Sequence, residues 1–130
     1  MKFAGLLTMN RVEENQDYFS RLIGEQLSAV SFVMDYLQLQ FDAYFLTVLT
    51  PLIVNKGSSS YRLGDLSYRD ALCERIARKV NEVVLASDNL RIGFDDGAHF
   101  DISLKDEDYV GPEAINFQFP EEGRMQLLVM

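Results

Sequence analysis

Two segments of the chain carry hydrophobic residues at the 3.6-residue spacing of an amphipathic helix. The first begins at Asn10, an N-cap candidate with Glu13 three residues later, and its apolar stripe consists of Val12, Phe19, Leu22 and Ile23. The second begins at Ser67, with Asp70 in the equivalent place, and its stripe consists of Tyr68, Leu72 and Ile76. The pattern predicts two helices, the first ended by a left-handed Gly24 and the second with Arg75 and Arg78 facing water.

After each helix the period of the pattern changes to two, which is typical of strands with one buried face. The first run predicts strands over Leu27 to Val33, Tyr36 to Phe41 and Tyr44 to Thr50. The second predicts strands over Val80 to Ala86, Leu90 to Phe94 and His99 to Leu104. Asp95-Asp96-Gly97 is a hairpin signal, because glycine supplies the positive φ that such turns need. Each helix is therefore followed by a three-stranded antiparallel meander.

The two halves of the sequence resemble each other at a nearly constant spacing. Ile23, Leu27, Leu37 and Phe41 recur 53 residues later as Ile76, Val80, Leu90 and Phe94. One extra residue in the second half then aligns Leu46-Thr47-Val48 with Phe100-Asp101-Ile102. Any two strands look alike because both must alternate, but here the preceding helix and a Phe-Asp turn recur as well. We predict a divergent internal repeat, with sub-repeats at about residues 10–54 and 67–104.

The remaining segments complete the predicted architecture. Asn55 to Ser60 is polar and glycine-containing, which predicts a linker or loop tip, and Leu52 to Val54 before it adds a short strand. Two further strands are expected in the C-terminal region 115–129. The sequence thus predicts a single α+β domain over residues 1–130, in which two helix-plus-antiparallel-β-meander units share one core. Periodicity does not decide whether the sheets close into a barrel, but open edges favour closure or dimerisation.

Composition and charge narrow the range of functions. With 48% hydrophobic residues in 130, the chain can bury a core without disulfides, and its single cysteine fits a reducing compartment. The net charge of −8 argues against binding to nucleic acid or to anionic lipid, both of which favour basic surfaces. No secretory signal or membrane-spanning apolar run is present in the sequence, so we expect a cytoplasmic protein.

Motifs that carry enzyme chemistry are missing from the sequence. It contains no phosphate-binding glycine loop, no nucleophile elbow and no paired cysteines, and one histidine with one cysteine cannot build the usual zinc site. We therefore expect no cofactor and no metal. Cys73 and His99 are the one possible nucleophile pair, but Cys73 lies beside the apolar stripe of its helix and His99 points away from the core. An enzyme is the least favoured class.

Three stretches of the chain have a distinctive amino-acid sequence: Ser31 to Asp42 (SFVMDYLQLQFD), Tyr68 to Cys73 (YRDALC) and Asp106 to Ala114 (DEDYVGPEA). They resemble a family of small bacterial proteins of unknown function, and the resemblance extends from about Leu22 to the end. The family supplies no activity, cofactor or catalytic residue to transfer. The resemblance implies a bacterial, cytosolic domain, and an immunity- or adaptor-type role follows by analogy with other small acidic bacterial domains.

Carboxylates cluster in the last third of the sequence. Paired carboxylates can perform acid–base chemistry or hold a hard cation, but a solvated surface with aspartates in turns is the commoner outcome. A docking surface for a basic partner is the third interpretation. Its best candidate is the stretch Asp106, Glu107, Asp108 and Tyr109, where an aromatic ring beside carboxylates suits an interface anchor. Packing of Tyr109 back onto the sheet is the alternative.

The aromatic residues divide into two groups, according to whether they fall on the apolar face of their predicted helix or strand. Those in phase with the apolar faces are assigned to the core: Phe19, Phe32, Phe41, Phe94 and Phe100. Tyr36 and Tyr44 fall out of phase on the first meander, with Phe45 on the side opposite Tyr44, which predicts exposed rings. Exposed rings without a basic groove suit a protein interface, such as a homodimer formed through the meander faces.

Two functional hypotheses follow. The first is a non-enzymatic protein-interaction domain that self-associates or binds a basic partner. The second is a small-ligand-binding domain with a pocket at the repeat junction, rimmed by turn residues of both halves: Asp35, Tyr36, Asp95 and Asp96.

Overall fold

In the described part of the chain, helical structure consists of short segments, and most of the regular secondary structure belongs to two antiparallel sheets. The computed structural model describes residues 13–130, which form an α+β fold. Residues 13–19 form helix α1, which continues into a 3₁₀ turn at Ser20–Leu22; Tyr68–Cys73 forms α2, and Asp106–Asp108 forms a second 3₁₀ turn. Ser67 is the N-cap of α2, as predicted, but its side chain makes no capping hydrogen bond. The other predicted N-cap, Asn10, lies outside the described residues.

Both predicted meanders are present, and each is part of a five-stranded sheet. Sheet 1 has the order β1-β2-β3-β9-β10 and consists of Ala29–Val33, Tyr36–Phe41, Tyr44–Val48, Ile115–Glu121 and Arg124–Val129. Sheet 2 has the order β5-β4-β8-β7-β6, where β4 to β8 in chain order are Leu52–Lys56, Ser59–Tyr61, Val80–Leu85, Asn89–Phe94 and His99–Ser103. Within residues 13–130 the two sheets do not close into a barrel.

Each sheet also contains a hairpin from elsewhere in the chain. The β4–β5 hairpin follows the first meander in sequence but pairs with β8 of the second, and β9 of the C-terminal hairpin pairs with β3 of the first. Of the two interpretations of Asn55 to Ser60, the linker was wrong and the loop tip was right only for Gly57 and Ser58, which form the turn between the end of β4 and the start of β5. Leu52 pairs with Ile102, and Ile115 pairs with Val48.

Main-chain hydrogen bonds join the two halves at the segments that lead into β1 and β6. Gly24 N donates to Val80 O, and Ala77 N, 53 residues after Gly24, donates to Leu27 O. Both donors have a positive φ, +92° at Gly24, as predicted, and +77° at Ala77. A β-bridge joins Gln26 to Lys79, again 53 residues apart. The residues that follow the two helical segments thus pair antiparallel with their counterparts.

One cluster of buried apolar residues is shared by both sheets. Phe19, Phe41, Phe94 and Phe100 are buried, as predicted. Phe32 was wrongly assigned to the core: it is 45% exposed because β1 is an edge strand. The assignments of Ile23 and Ile76 to the apolar stripes were also wrong, because each follows the end of its helical segment and is exposed.

Candidate functional site

The outer face of sheet 1 is distinguished by its uncharged side chains. Cross-strand partners share a face, and the register places Gln40, Phe45, Gln118 and Leu127 in one row across the sheet. Ala29 pairs with Gln40 and extends this row to β1, and the neighbouring rows add the remaining members of this face: Ser31, Val33, Tyr36, Gln38, Thr47, Asn116, Pro120, Met125 and Val129. None of these side chains carries a charge, although a quarter of the chain's residues are charged.

Apolar side chains on this face are concentrated on the edge strand β10. Met125, Leu127 and Val129 alternate along β10, and each is about half exposed. Charged residues lie instead in the hairpin turns around the face, at Asp42 and Glu122. An uncharged centre with a charged rim is the arrangement of protein–protein interfaces.

The outer face of sheet 2 has the opposite character. Asp101 lies at its centre, where it accepts hydrogen bonds from Asn55, Asn89 and Arg91, and His99 Nε2 lies 3.4 Å from its carboxylate. Burial opposes ionisation of this carboxyl, but the hydrogen bonds from Arg91 and Asn89 prevail and lower the pKa of Asp101 below its ordinary value. The polar side chains at the centre of this face therefore form hydrogen bonds with one another.

The register corrects one prediction about the aromatic residues. Phe41 pairs with Tyr44 across the Asp42-Ala43 turn, so both rings point inward, and Tyr44 stacks on Phe117 with centroids 6.0 Å apart. Tyr44 was therefore wrongly expected to be exposed, and Phe45 occupies the outer face in its place.

A second surface lies where the chain crosses from β3 to β4. We call it the crossover groove; its volume is about 580 Å³, and it is lined by residues 32–37, 48–53, 62–63, 68–69 and 110. Its lining is mostly apolar, with Arg62 and Arg69 among the few polar residues. The hydroxyl of Tyr68 donates a 2.7 Å hydrogen bond to Leu52 O, and burial raises the pKa of Tyr68 to about 12.

Only half of the predicted pocket rim lies at this groove. Asp35 and Tyr36, in and after the β1–β2 turn, line it. Asp95 and Asp96 lie in the β7–β8 turn and do not line it. Four lining residues were not predicted from the sequence: Arg62, Leu63, Arg69 and Val110. The available signal was the isolation of Leu63 and Val110 within polar, glycine-containing loops, where no buried face requires an apolar side chain.

Asp96 has a structural partner that the sequence analysis placed in solvent. Arg75 is 1% exposed, not facing water as predicted, and its Nη1 lies 2.6 and 2.8 Å from the two carboxylate oxygens of Asp96. The guanidinium also lies over the ring of Phe94. The hydrogen bond from Arg75 lowers the pKa of Asp96 to about 2. Arg78 lies within 4 Å of both Asp95 and Asp96, so these carboxylates hold the chain after α2 in place.

The acidic stretch after β8 is a 3₁₀ turn. Asp108 accepts a hydrogen bond from the Ser103 hydroxyl, while Asp106 and Glu107 are exposed. Tyr109 is half-buried and packs against the core, which is the alternative foreseen for it.

Two features bear on the enzyme interpretation: the nucleophile pair Cys73 and His99, and clusters of metal-binding side chains. Cys73 is exposed on α2, not buried as expected, and the charged partner of His99 is Asp101. Among residues 13–130 no group of three or more histidine, cysteine, aspartate or glutamate side chains is arranged to hold a metal ion. No helix in this part of the chain has the length and hydrophobicity needed to cross a bilayer.

The chain was compared with known proteins at three levels. Neither a protein-family model, a curated protein nor a solved structure matches it significantly. The resemblance of the SFVMDYLQLQFD, YRDALC and DEDYVGPEA stretches to a small bacterial family therefore stays a prediction.

Proposed function

We propose that this chain is a protein-interaction domain, not an enzyme, and that a second copy of the chain binds to the outer face of sheet 1. The observation that carries the proposal is that the described strand positions of that face carry no charged side chain, in a protein with a net charge of −8. Phe45, Met125 and Leu127 supply the large side chains that anchor interfaces.

The two sheets provide an internal comparison. We infer that the halves derive from one repeated unit, because the hydrogen bonds at their junction and the strand pairs β3–β9 and β8–β4 recur in equivalent places. On this alignment Arg91 of sheet 2 corresponds to Gln38 of sheet 1, and Asp101 corresponds to Thr47. The equivalent face thus carries an ion pair in one half and uncharged side chains in the other. Burial of the uncharged face against a partner accounts for this difference, since unpaired charges there would be costly.

The uncharged face lets a second acidic copy bind with little charge repulsion. Two copies of an acidic protein repel each other, and the repulsion is least when they meet through uncharged faces that keep their carboxylates at the rim and beyond. Salt screens the remaining repulsion, so the dimer becomes tighter as salt increases. A basic partner steered by the carboxylates of Asp106 and Glu107 has the opposite dependence, because salt weakens attraction between unlike charges.

The size of the face predicts a weak dimer. Five strands about 4.8 Å apart, each with about five residues at 3.4 Å, cover roughly 400 Å² in projection. Two such faces amount to roughly 800 Å² in projection, below the roughly 1,200 Å² of standard specific interfaces and in the range of weak, transient complexes. We therefore expect a dissociation constant in the micromolar range, on the order of 10 µM.

Substitution of single face residues tests the proposal. Phe45→Glu and Leu127→Glu each place a carboxylate on the outer face of sheet 1 and are expected to be monomeric where the wild type is dimeric, as measured by size-exclusion chromatography with light scattering. Val84→Glu is the matched control, since Val84 is a half-exposed apolar residue on the outer face of sheet 2. It is expected to remain dimeric. Circular dichroism verifies that each variant is folded.

Two results would overturn the proposal: a wild-type chain that stays monomeric at 1 mM, or Val84→Glu dissociating the dimer as strongly as the face variants. The immunity- or adaptor-type role and the cytoplasmic location stay predictions from the resemblance and the composition.

A further inference from the structure

We propose that the crossover groove binds a single-chain amphipathic carboxylate, with its alkyl chain along the groove and its carboxylate against Arg62 and Arg69. This ligand class goes beyond self-association through sheet 1. The groove's volume, the hydrogen bonding of its floor and the charges on its walls favour such a ligand.

The volume of the groove suits a long alkyl chain. At about 30 Å³ for a group the size of a water molecule or a methylene, 580 Å³ accommodates roughly 19 such groups. Three lining side chains stand almost fully in solvent: Met34 is 94% exposed, Leu63 is 86% exposed and Val110 is 93% exposed. They come from three separate loops, so a bound alkyl chain removes apolar surface from water on several sides at once.

The floor of the groove offers little hydrogen bonding to a ligand. Leu49 N donates to Ala114 O, Pro51 has no N–H and its carbonyl accepts from Ser103 N, and Leu52 O accepts from the Tyr68 hydroxyl. An alkyl chain forms no hydrogen bonds with water, so it loses none when it lies on such a floor. A peptide would bring amides that require partners, so the floor favours an alkyl chain over a peptide.

The charges on the walls favour an anionic head group. Neither Arg62 nor Arg69 has a carboxylate within 4 Å of its guanidinium in the part of the chain that the structure describes, although acidic residues outnumber basic ones. Asp65 accepts from the main-chain N–H of Arg62, not from its side chain. Asp35 is the one carboxylate among the lining residues, so the walls carry a net positive charge. Guanidinium groups bind carboxylates with paired hydrogen bonds.

Calorimetric titration of the full chain with tetradecanoate, below its micelle concentration, tests the proposal. Tetradecyltrimethylammonium has the same alkyl chain with a cationic head and is expected to bind at least tenfold more weakly. The double variant Arg62→Ala/Arg69→Ala is expected to lose tenfold or more in affinity for tetradecanoate. Arg124→Ala removes an exposed arginine on β10 and is the matched control, with unchanged affinity expected.

Amide chemical shifts locate the bound molecule. The proposal expects the changes to concentrate in residues 32–37, 48–53, 62–63, 68–69 and 110. It is overturned if the cation binds as tightly as the carboxylate, if the double variant binds like the wild type, or if the shift changes lie elsewhere. A short apolar peptide that binds the groove more tightly than tetradecanoate would overturn the choice of ligand. These variants share no residue with those that test self-association, so either proposal can fail alone.

Discussion

The ion pair between Arg75 and Asp96 predicts an unequal response to loss of its two members. The Arg75 side chain is 2% exposed and that of Asp96 is 19% exposed. Asp96→Asn leaves a buried guanidinium without a counter-charge, which typically costs about 3 kcal/mol. Arg75→Met leaves a carboxylate that reaches water and lies 3.7 Å from Arg78 Nε, while methionine fills the space of the arginine stem. It also removes Arg75 Nε, which is buried without a hydrogen-bond partner. We expect Arg75→Met to cost only about 1 kcal/mol.

Urea unfolding at pH 7, followed by circular dichroism, measures both costs as differences in the free energy of unfolding. The double variant Arg75→Met/Asp96→Asn is expected to resemble Arg75→Met alone, because no unpaired buried charge is left. If Asp96→Asn costs no more than Arg75→Met, the argument from unequal burial is refuted.

The same pair sets a pH dependence. The pKa of Asp96 is about 2 in the folded protein, against an ordinary value of 3.8, so its contribution is fully present above pH 4 and is lost as the pH falls toward 2. We expect Asp96→Asn to lack this part of the acid destabilisation of the wild type.

Four further substitutions concern single positions that the fold constrains. Ala77→Gly should stabilise the protein by about 0.5–1 kcal/mol because Ala77 has a φ of +77°, while Gly24→Ala should cost about 1 kcal/mol, since its φ is +92°; both follow from urea unfolding. Gln16→Ala should cost about 1–2 kcal/mol and speed hydrogen exchange at the Leu85 amide, because Gln16 bonds main-chain groups on the free edge of β6. Tyr68→Phe should cost about 1–3 kcal/mol, since it leaves a buried carbonyl without its donor.

Matched controls separate these causes from general effects of mutation. For Ala77→Gly the control is Ala86→Gly, which changes an exposed alanine that has no positive φ. For Gln16→Ala it is Gln126→Ala, which removes an amide that makes no hydrogen bond within residues 13–130. For Tyr68→Phe it is Tyr44→Phe, which removes a hydroxyl that makes no hydrogen bond in that part of the chain. None of the controls should reproduce the effect of its counterpart. Equal effects in any matched pair would contradict the structural reason given for that prediction.

Local patterns were sufficient to predict much of the fold. Strands β2, β3 and β6 to β10 follow from alternation between short turns, and the left-handed Gly24 follows from its place after an apolar stripe. These features depend on neighbours in sequence, where steric and solvent preferences act directly. The α+β class followed from the change of period after each helical segment.

Features that depend on distant residues were not predictable in the same way. The hairpin beginning at Leu52 has a pattern compatible with either sheet, and only the shared core determines that it pairs with β8. Arg75 looked like a solvent-facing residue because its partner, Asp96, lies 21 residues later in a turn. Of the predicted site residues, Asp35 and Tyr36 line the crossover groove, whereas Arg62 and Arg69 came into view only once the loops were placed in space.

The most direct test of the account is the mass of the wild-type chain by sedimentation equilibrium at low and at high salt. The account predicts a monomer–dimer equilibrium that shifts toward the dimer as salt rises from about 50 mM to about 500 mM, because screening removes repulsion between two acidic copies that meet through an uncharged face. A monomer at both salt concentrations, or a dimer that dissociates as salt rises, would contradict it.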